Sequence, residues 1–352
     1  MLTKFINRLR LRGKIDKELV AEVEKVSSGK PLRVSYVTKP LQYMNLKAIT
    51  MDNACCNILI IGNHFIQADK FVDFLRKKDL NWDIIKLVQD TKIPQATILR
   101  LPRIIEFWTS TDSGTFFNLF LKELHQKKCK IKMIEEGLGN YVHADIGFTI
   151  SHPFLTRNRW FSKLTFELLR NIVRFFTGCG GDGMNLSKWL DELHLYHPEY
   201  PKIPCRTRSV LRKLPLSAID NFRNLDKFFD FSNYSWISSL QNKKVLILPT
   251  NWTDDPIITE NDSAGYDVII VKYHPHLKDR LNSVNGNVIY MAGALPTEIL
   301  VFKLLNLNCD ITLRGQYTSS LIYLLGTSVK LDFESEIPDF MYDFFQYVLK
   351  SY

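Results

Sequence analysis

The stretch Val268-Ile-Ile-Val-Lys-Tyr-His274-Pro275-His276 decides how this chain is read. A β-rich apolar run ends in a histidine fixed by a proline. A strand buried on both faces of a parallel sheet reads as such a run, and open α/β sheets take ligands at the carboxyl ends of their strands. Proline keeps the residue before it out of the helical region, so a stiff turn presents the His274 imidazole. His152-Pro153 and His197-Pro198 follow no such strand, so the setting carries the signal and the dipeptide does not.

A second anchor lies upstream, in Cys129-Lys-Ile-Lys-Met-Ile-Glu135-Glu136-Gly137-Leu-Gly139-Asn140. This strand ends in two carboxylates and a glycine. Successive strand side chains point to opposite faces, so the two glutamates take different roles. One can act on a ligand while the other supports the loop. Gly137 and Gly139 permit turns and close approach of a ligand to the backbone.

Working outward from these anchors, strands alternate with helices. Strands are expected over 32–37, 57–61, 83–88 and 131–134, and again over 244–248, 288–291, 310–313 and 327–331. Helices are expected over 65–76, from a Ser113 cap through Phe116, Phe117, Phe120 and Leu124, from Pro296-Thr297-Glu298, and over 337–352. Such alternation predicts parallel βαβ units. Residues 151–240 break the rhythm with aromatics such as Trp160, Phe166 and Phe176 set among Arg157, Arg170 and Arg174. That pattern predicts a helical insert, packed on the core or docked on an acidic surface. The loop Gly178-Cys-Gly-Gly-Asp-Gly183 lacks the Gly-Lys-Ser/Thr ending of a phosphate loop. The expected division is an N-terminal domain over 1–240 carrying the insert, a second domain over 241–335, and a final helix over 336–352.

Composition narrows the function classes. A formal charge of +9 suits a polyanionic partner, yet no nucleic-acid module is present. The cysteines make no Cys-x-x-Cys pair, which predicts a reducing compartment. The N-terminus is basic without the apolar run of a signal peptide. A cytoplasmic protein is expected. The charged helix over 1–30 either rests on anionic lipid or packs on its own domain.

The chemistry follows from the strand ends. Ser319 and Ser320 sit at a strand-to-helix turn where hydroxyls join main-chain N–H groups, either as a phosphate site or as plain caps. Glu298, in the first turn of its helix, is suited to a ribose diol or simply to the helix dipole. One domain thus offers His274, two serines and a carboxylate, and the other offers Glu135 or Glu136. A carboxylate taking the proton of an attacking hydroxyl, with His274 meeting a departing phosphate, is the logic of inverting glycosyl transfer. Asp254-Asp255 competes with Glu136 as base, although a solvated turn is its ordinary reading.

The series Glu135-Glu136-Gly137, Lys272-Tyr-His274-Pro275 and Thr318-Ser319-Ser320 resembles the motif series of bacterial sialyltransferases. Lys39-Pro40-Leu-Gln42 and Pro296-Thr-Glu298 are similar to the same group, glycosyltransferase family 52 and its polysialyltransferase relatives. The resemblance covers motif order along most of the chain but not 151–240. It implies a GT-B architecture, with two Rossmann-like domains facing a cleft, CMP-sialic acid as donor, and neither cofactor nor metal. It implies Glu136 as general base and His274 on the CMP phosphate. Glu135, Gly137 and Pro275 would support them. Lys272, Glu298, Thr318, Ser319 and Ser320 would bind the donor, and Pro40 and Gln42 would lie on the acceptor side. The final helix would cross back to the N-terminal domain. The implied acceptor is a surface glycan such as lipooligosaccharide or capsular polysaccharide, and a homodimer is allowed. The rivals are a Kdo or polyol-phosphate transferase and a non-catalytic binder of acidic glycan or membrane.

Overall fold

The computed structural model describes residues 15–49, 53–88, 95–112, 115–141, 185, 187–204, 209–250, 256–275, 277, 282–315, 319–333 and 339–350. Thr318, Asp254, Asp255, His276, Ser113, the first 14 residues and the aromatic, basic run of the expected insert lie outside them.

Strands β1 (Leu32–Val37), β2 (Cys56–Gly62), β3 (Ile84–Val88), β4 (Ile104–Thr109), β5 (Lys130–Ile134), β6 (Glu192–Leu195) and β7 (Val210–Lys213) form one sheet in the order β3-β2-β1-β4-β5-β6-β7. The pairings of β1 with β4 and onward to β7 are parallel. Every position of β1 and β2 is buried, including Arg33, Ser35 and Asn57, as expected for strands covered on both faces. A second sheet holds β8 (Lys244–Pro249), β9 (Val268–Lys272), β10 (Ser283–Asn285), β11 (Val288–Met291), β12 (Asp310–Gly315) and β13 (Lys330–Phe333). Its order is β10-β11-β9-β8-β12-β13, parallel except for the β10–β11 hairpin. Both orders run outward from a first strand and then reverse, as in a doubly wound nucleotide-binding sheet. The reversals fall between β1 and β4 and between β8 and β12. The chain therefore carries two Rossmann-like α/β units, the components of the GT-B architecture.

By contact, one unit comprises 1–37, 50–60 and 81–214, and the other comprises 38–49, 61–80 and 215–352. The chain passes from the first to the second at 214/215, not at 240. Residues 192–195 and 210–213, expected within a helical insert, are strands of the first sheet. Four-residue strands show too few alternations to stand out beside an aromatic, basic neighbourhood. β4 shows no clear strand pattern in the sequence, because Glu106 interrupts its apolar run.

Helix α1 (Lys17–Ser27) is capped by Asp16, whose carboxylate accepts the Leu19 N–H at 2.9 Å. In the second unit, α2 (Pro40–Lys47) and α3 (Ala68–Lys78) are locked by Asp79. Its carboxylate takes the Tyr43 hydroxyl at 2.7 Å and the Lys47 ammonium at 2.9 Å. Phe222, fully buried on the short helix over 218–223, stands edge-on to Tyr323 with centroids 5.3 Å apart. No helix among the described residues is long and apolar enough to cross a membrane.

One face of the first sheet carries an ionic ladder. Glu106 accepts from Arg33 at 2.8 Å, Lys132 at 2.7 Å and Trp108 Nε1 at 3.1 Å. Burial pushes its carboxyl up, but the hydrogen bonds from Lys132, Arg33 and Trp108 outweigh that and hold it at about 2. A depressed carboxyl contributes stability above its unfolded value and loses it as pH falls through the folded value. Glu106→Gln should therefore lower stability at neutral pH and flatten the decline between the ordinary 4.5 and about 2. Urea titrations at stepped pH measure this; equal slopes for both proteins would contradict it.

Candidate functional site

The second unit brings its chemistry to the carboxyl ends of β9, β11 and β12. Lys272 is the last residue of β9, paired with Met291 of β11 and Pro249 of β8. The chain then turns. His274 N–H is held by the Thr250 hydroxyl at 3.1 Å, and the Pro275 carbonyl accepts the Ile66 N–H at 2.9 Å. His274 and Pro275 are half-buried, and the turn is fixed at both ends. Thr250 follows β8, the strand at the order reversal, and went unnoticed in the sequence.

Beneath this turn lies a buried polar core. Lys272 is 3% exposed, and its ammonium donates to the Tyr273 carbonyl at 2.8 Å and the Gly293 carbonyl at 3.4 Å. Burial pulls the ammonium down to about 8, against the nearby Glu298 carboxylate, which raises it. Glu298, in the first turn of α4 (Thr297–Leu305), is 2% exposed. Its carboxylate accepts the Ser320 hydroxyl at 2.7 Å. Burial pushes its carboxyl up, opposed by that hydrogen bond and by Lys272. Ser320 and Ser319 open a helix over 319–323, too short to build much dipole. What the turn offers is hydroxyls and main-chain N–H groups, so the anion site expected from a helix N-terminus reduces to these. Lys272, Glu298 and Ser320 are thus brought together, with His274 two residues from Lys272.

The loop from β11 to α4 depends on Gly293. Its φ is +121, and an added Cβ would run into the Tyr234 hydroxyl and come within 3.3 Å of Gln67 Oε1. Tyr234 donates to the neighbouring Ala292 carbonyl at 3.1 Å. Lys272 and Tyr234 therefore bind adjacent carbonyls of this loop.

In the first unit the paired glutamates separate as strand alternation requires. Glu135 is fully buried; its carboxylate accepts the Tyr141 hydroxyl and the Tyr196 N–H, the latter at 2.8 Å. It therefore ties the end of β5 to the end of β6. Burial, then Glu135, pushes the Tyr141 phenol well above its ordinary range. Glu136 is half-buried, and its N–H donates to Asn140 Oδ1 at 2.6 Å. Gly137 follows with φ +139 and ψ −149, a conformation essentially reserved for glycine. Its N–H donates to the same Asn140 oxygen at 3.2 Å. Asp112 and Asn185 complete this loop's support and carried no sequence signal, since they lie 24 residues upstream and 49 downstream of Glu136.

Pro40 and Gln42 belong to α2. Pro40 occupies the first helical position. Gln42 is 1% exposed and its Oε1 accepts the Thr38 N–H at 2.6 Å, so it closes the helix start from inside. Among the described residues no group of three His, Cys, Asp or Glu side chains is arranged to hold a metal ion.

No protein-family model matches this sequence, and no curated protein matches it. Among solved structures the chain is similar to the wall teichoic acid polymerase TagF, in a crystal soaked with CDPG. Identity is 11%, the TM-score is 0.42, and the match covers 91% of this chain and 73% of that one. At that identity and score the likeness assigns neither a family nor a donor.

Gly293→Ala should destabilise the second unit by about 1–3 kcal/mol from backbone strain alone, with the Tyr234 clash added. Thermal unfolding of Gly293→Ala with and without Tyr234→Phe separates the two: the double variant should recover part of the loss. No recovery would remove Tyr234 as the obstacle.

Proposed function

We propose that this protein is an inverting glycosyltransferase that takes a cytidine-nucleotide sugar at the strand ends of its second unit, with CMP-sialic acid as donor and a glycan hydroxyl as acceptor. One observation supports this above the others. His274, the Lys272–Glu298–Ser320 group and Ser319 gather at the carboxyl ends of β9, β11 and β12, beside the reversal of strand order, where open α/β sheets bind nucleotides.

In this reading the acceptor oxygen attacks the anomeric carbon as the bond to the CMP phosphate oxygen breaks. Glu136 takes the hydroxyl proton, and His274 meets the charge growing on the phosphate. The Ser320 hydroxyl donates to Glu298, and Ser319 with main-chain N–H groups of that turn meets the phosphate in this reading. Lys272 and Glu298 act from below by fixing the loops. Independence from metal is part of the proposal, as is attachment to a surface polymer; contact with an anionic membrane and homodimerisation are not needed by it.

Nucleotide release with a chelator present tests the reading, using CMP-sialic acid, CMP-Kdo and CDP-glycerol in parallel. Wild type should release CMP from CMP-sialic acid undiminished by EDTA. His274→Ala should be slower by roughly 10²–10³, the size of a lost charge-stabilising group. Glu136→Gln should lose roughly 10²–10⁴ of transfer once a sugar acceptor is supplied. Turnover of CDP-glycerol or CMP-Kdo alone would replace the sialyl donor, and inertness toward all three would overturn the nucleotide-sugar reading.

A further inference from the structure

The Glu136 loop is not held by its own strand alone. Asn140 Oδ1 accepts two successive N–H groups, those of Glu136 and Gly137, at 2.6 and 3.2 Å. Its Nδ2 donates to Asn185 Oδ1 at 2.9 Å, and Asn185 Nδ2 returns to the Asn140 carbonyl at 2.7 Å. The two amides form a closed, reciprocal pair. Asn185 N–H then donates to Asp112 Oδ1 at 2.9 Å and Ser187 N–H to Asp112 Oδ2 at 2.7 Å. Asp112 is 1% exposed, and Asn140, Asn185 and Ser187 are no more so. Its own carbonyl accepts Asn118 Nδ2 at 2.7 Å, which anchors it to the helix over 115–126.

The position of Asp112 matters. It lies three residues beyond β4, the strand at the order reversal of the first sheet. Asn185 adopts a left-handed φ of +66, a conformation asparagine tolerates better than most residues. Buried hydrogen bonds of this kind are expensive to break, because each orphaned group keeps its full desolvation cost. A loop so held cannot drift without breaking several at once.

We propose that Asp112, Asn185 and Asn140 are positioning residues that set where Glu136 stands, coupling the catalytic loop after β5 to the segment at 185–187. This rests on the reading of Glu136 as the base. None of the three is required to touch substrate. The coupling runs through the main-chain N–H groups of Glu136 and Gly137. A misplacement near 1 Å at a reacting group costs on the order of 10²-fold in rate, so a small loosening of this chain is visible in turnover.

Asn185→Gly removes the amide pair while leaving a residue that accepts a positive φ. Asn140→Asp keeps the oxygen that receives Glu136 and Gly137 but sets a second acceptor against Asn185. Amide hydrogen exchange on the full chain should show protection at Glu136 and Gly137 falling by roughly tenfold or more in both variants, with the second unit unchanged. On whichever of CMP-sialic acid or CDP-glycerol the wild type turns over, the maximal rate should fall about tenfold or more with the donor KM unchanged. Asp112→Asn, which preserves shape, serves if either variant fails to fold, and should show the same split. Unchanged protection overturns the coupling whatever the activity. Unchanged turnover, where Glu136→Gln abolishes it, overturns the positioning role. If Glu136→Gln is itself silent, the reading of Glu136 fails while the exchange result still decides the coupling.

Discussion

A parallel sheet whose strand order reverses leaves a crevice at the carboxyl ends of the two strands that flank the reversal, because the crossovers on either side leave toward opposite faces. Both sheets of this protein have that reversal, and the placement of its polar chemistry follows from it. In the second sheet the flanking strands are β8 and β12, and Thr250, Ser319 and Ser320 come next in the chain. In the first they are β1 and β4, and Asp112 follows β4. The apolar strands fix the crevice; the residues just past their ends decide what it can bind.

Those residues are held by groups that water does not reach. Lys272, Glu298, Glu135, Asn140, Asn185 and Asp112 are all buried. Burying an ionised or amide group is costly unless its bonds are met, and here carbonyls, hydroxyls and N–H groups of adjacent loops meet them. The same bonds that make burial tolerable define the loop geometry. Half-buried His274 and Glu136 each stand on a turn held by such bonds.

Much of this was legible in the chain. The short, β-branched-rich runs at 58–61 and 268–271 announced buried strands by their length and composition, and 32–37 did so less cleanly, with Arg33 and Ser35 inside it. The two glutamates were separable in principle, since alternation forces neighbours apart, and Glu135 is the buried one, bonded to Tyr141 and Tyr196. Other features could not be read. Glu106 and Trp108 turn an ionic ladder along β4, so its apolar period is broken. Gln42 resembled a ligand-facing residue, yet it caps its helix from inside, and Glu298 hydrogen-bonds Ser320. Whether a polar side chain faces a ligand or a neighbouring loop depends on tertiary contacts between distant segments. Asp112 and Asn185 show the same limit, as they meet Asn140 only when the sheet is assembled.

The central claim is that the strand ends of the second unit receive a cytidine nucleotide. Hydrogen exchange with and without CMP tests it most directly, since it needs neither an acceptor nor turnover. CMP should add protection over 272–275, 293–298 and 319–323, and His274→Ala should lose it. Protection confined to the first unit, or none at millimolar CMP, would contradict it.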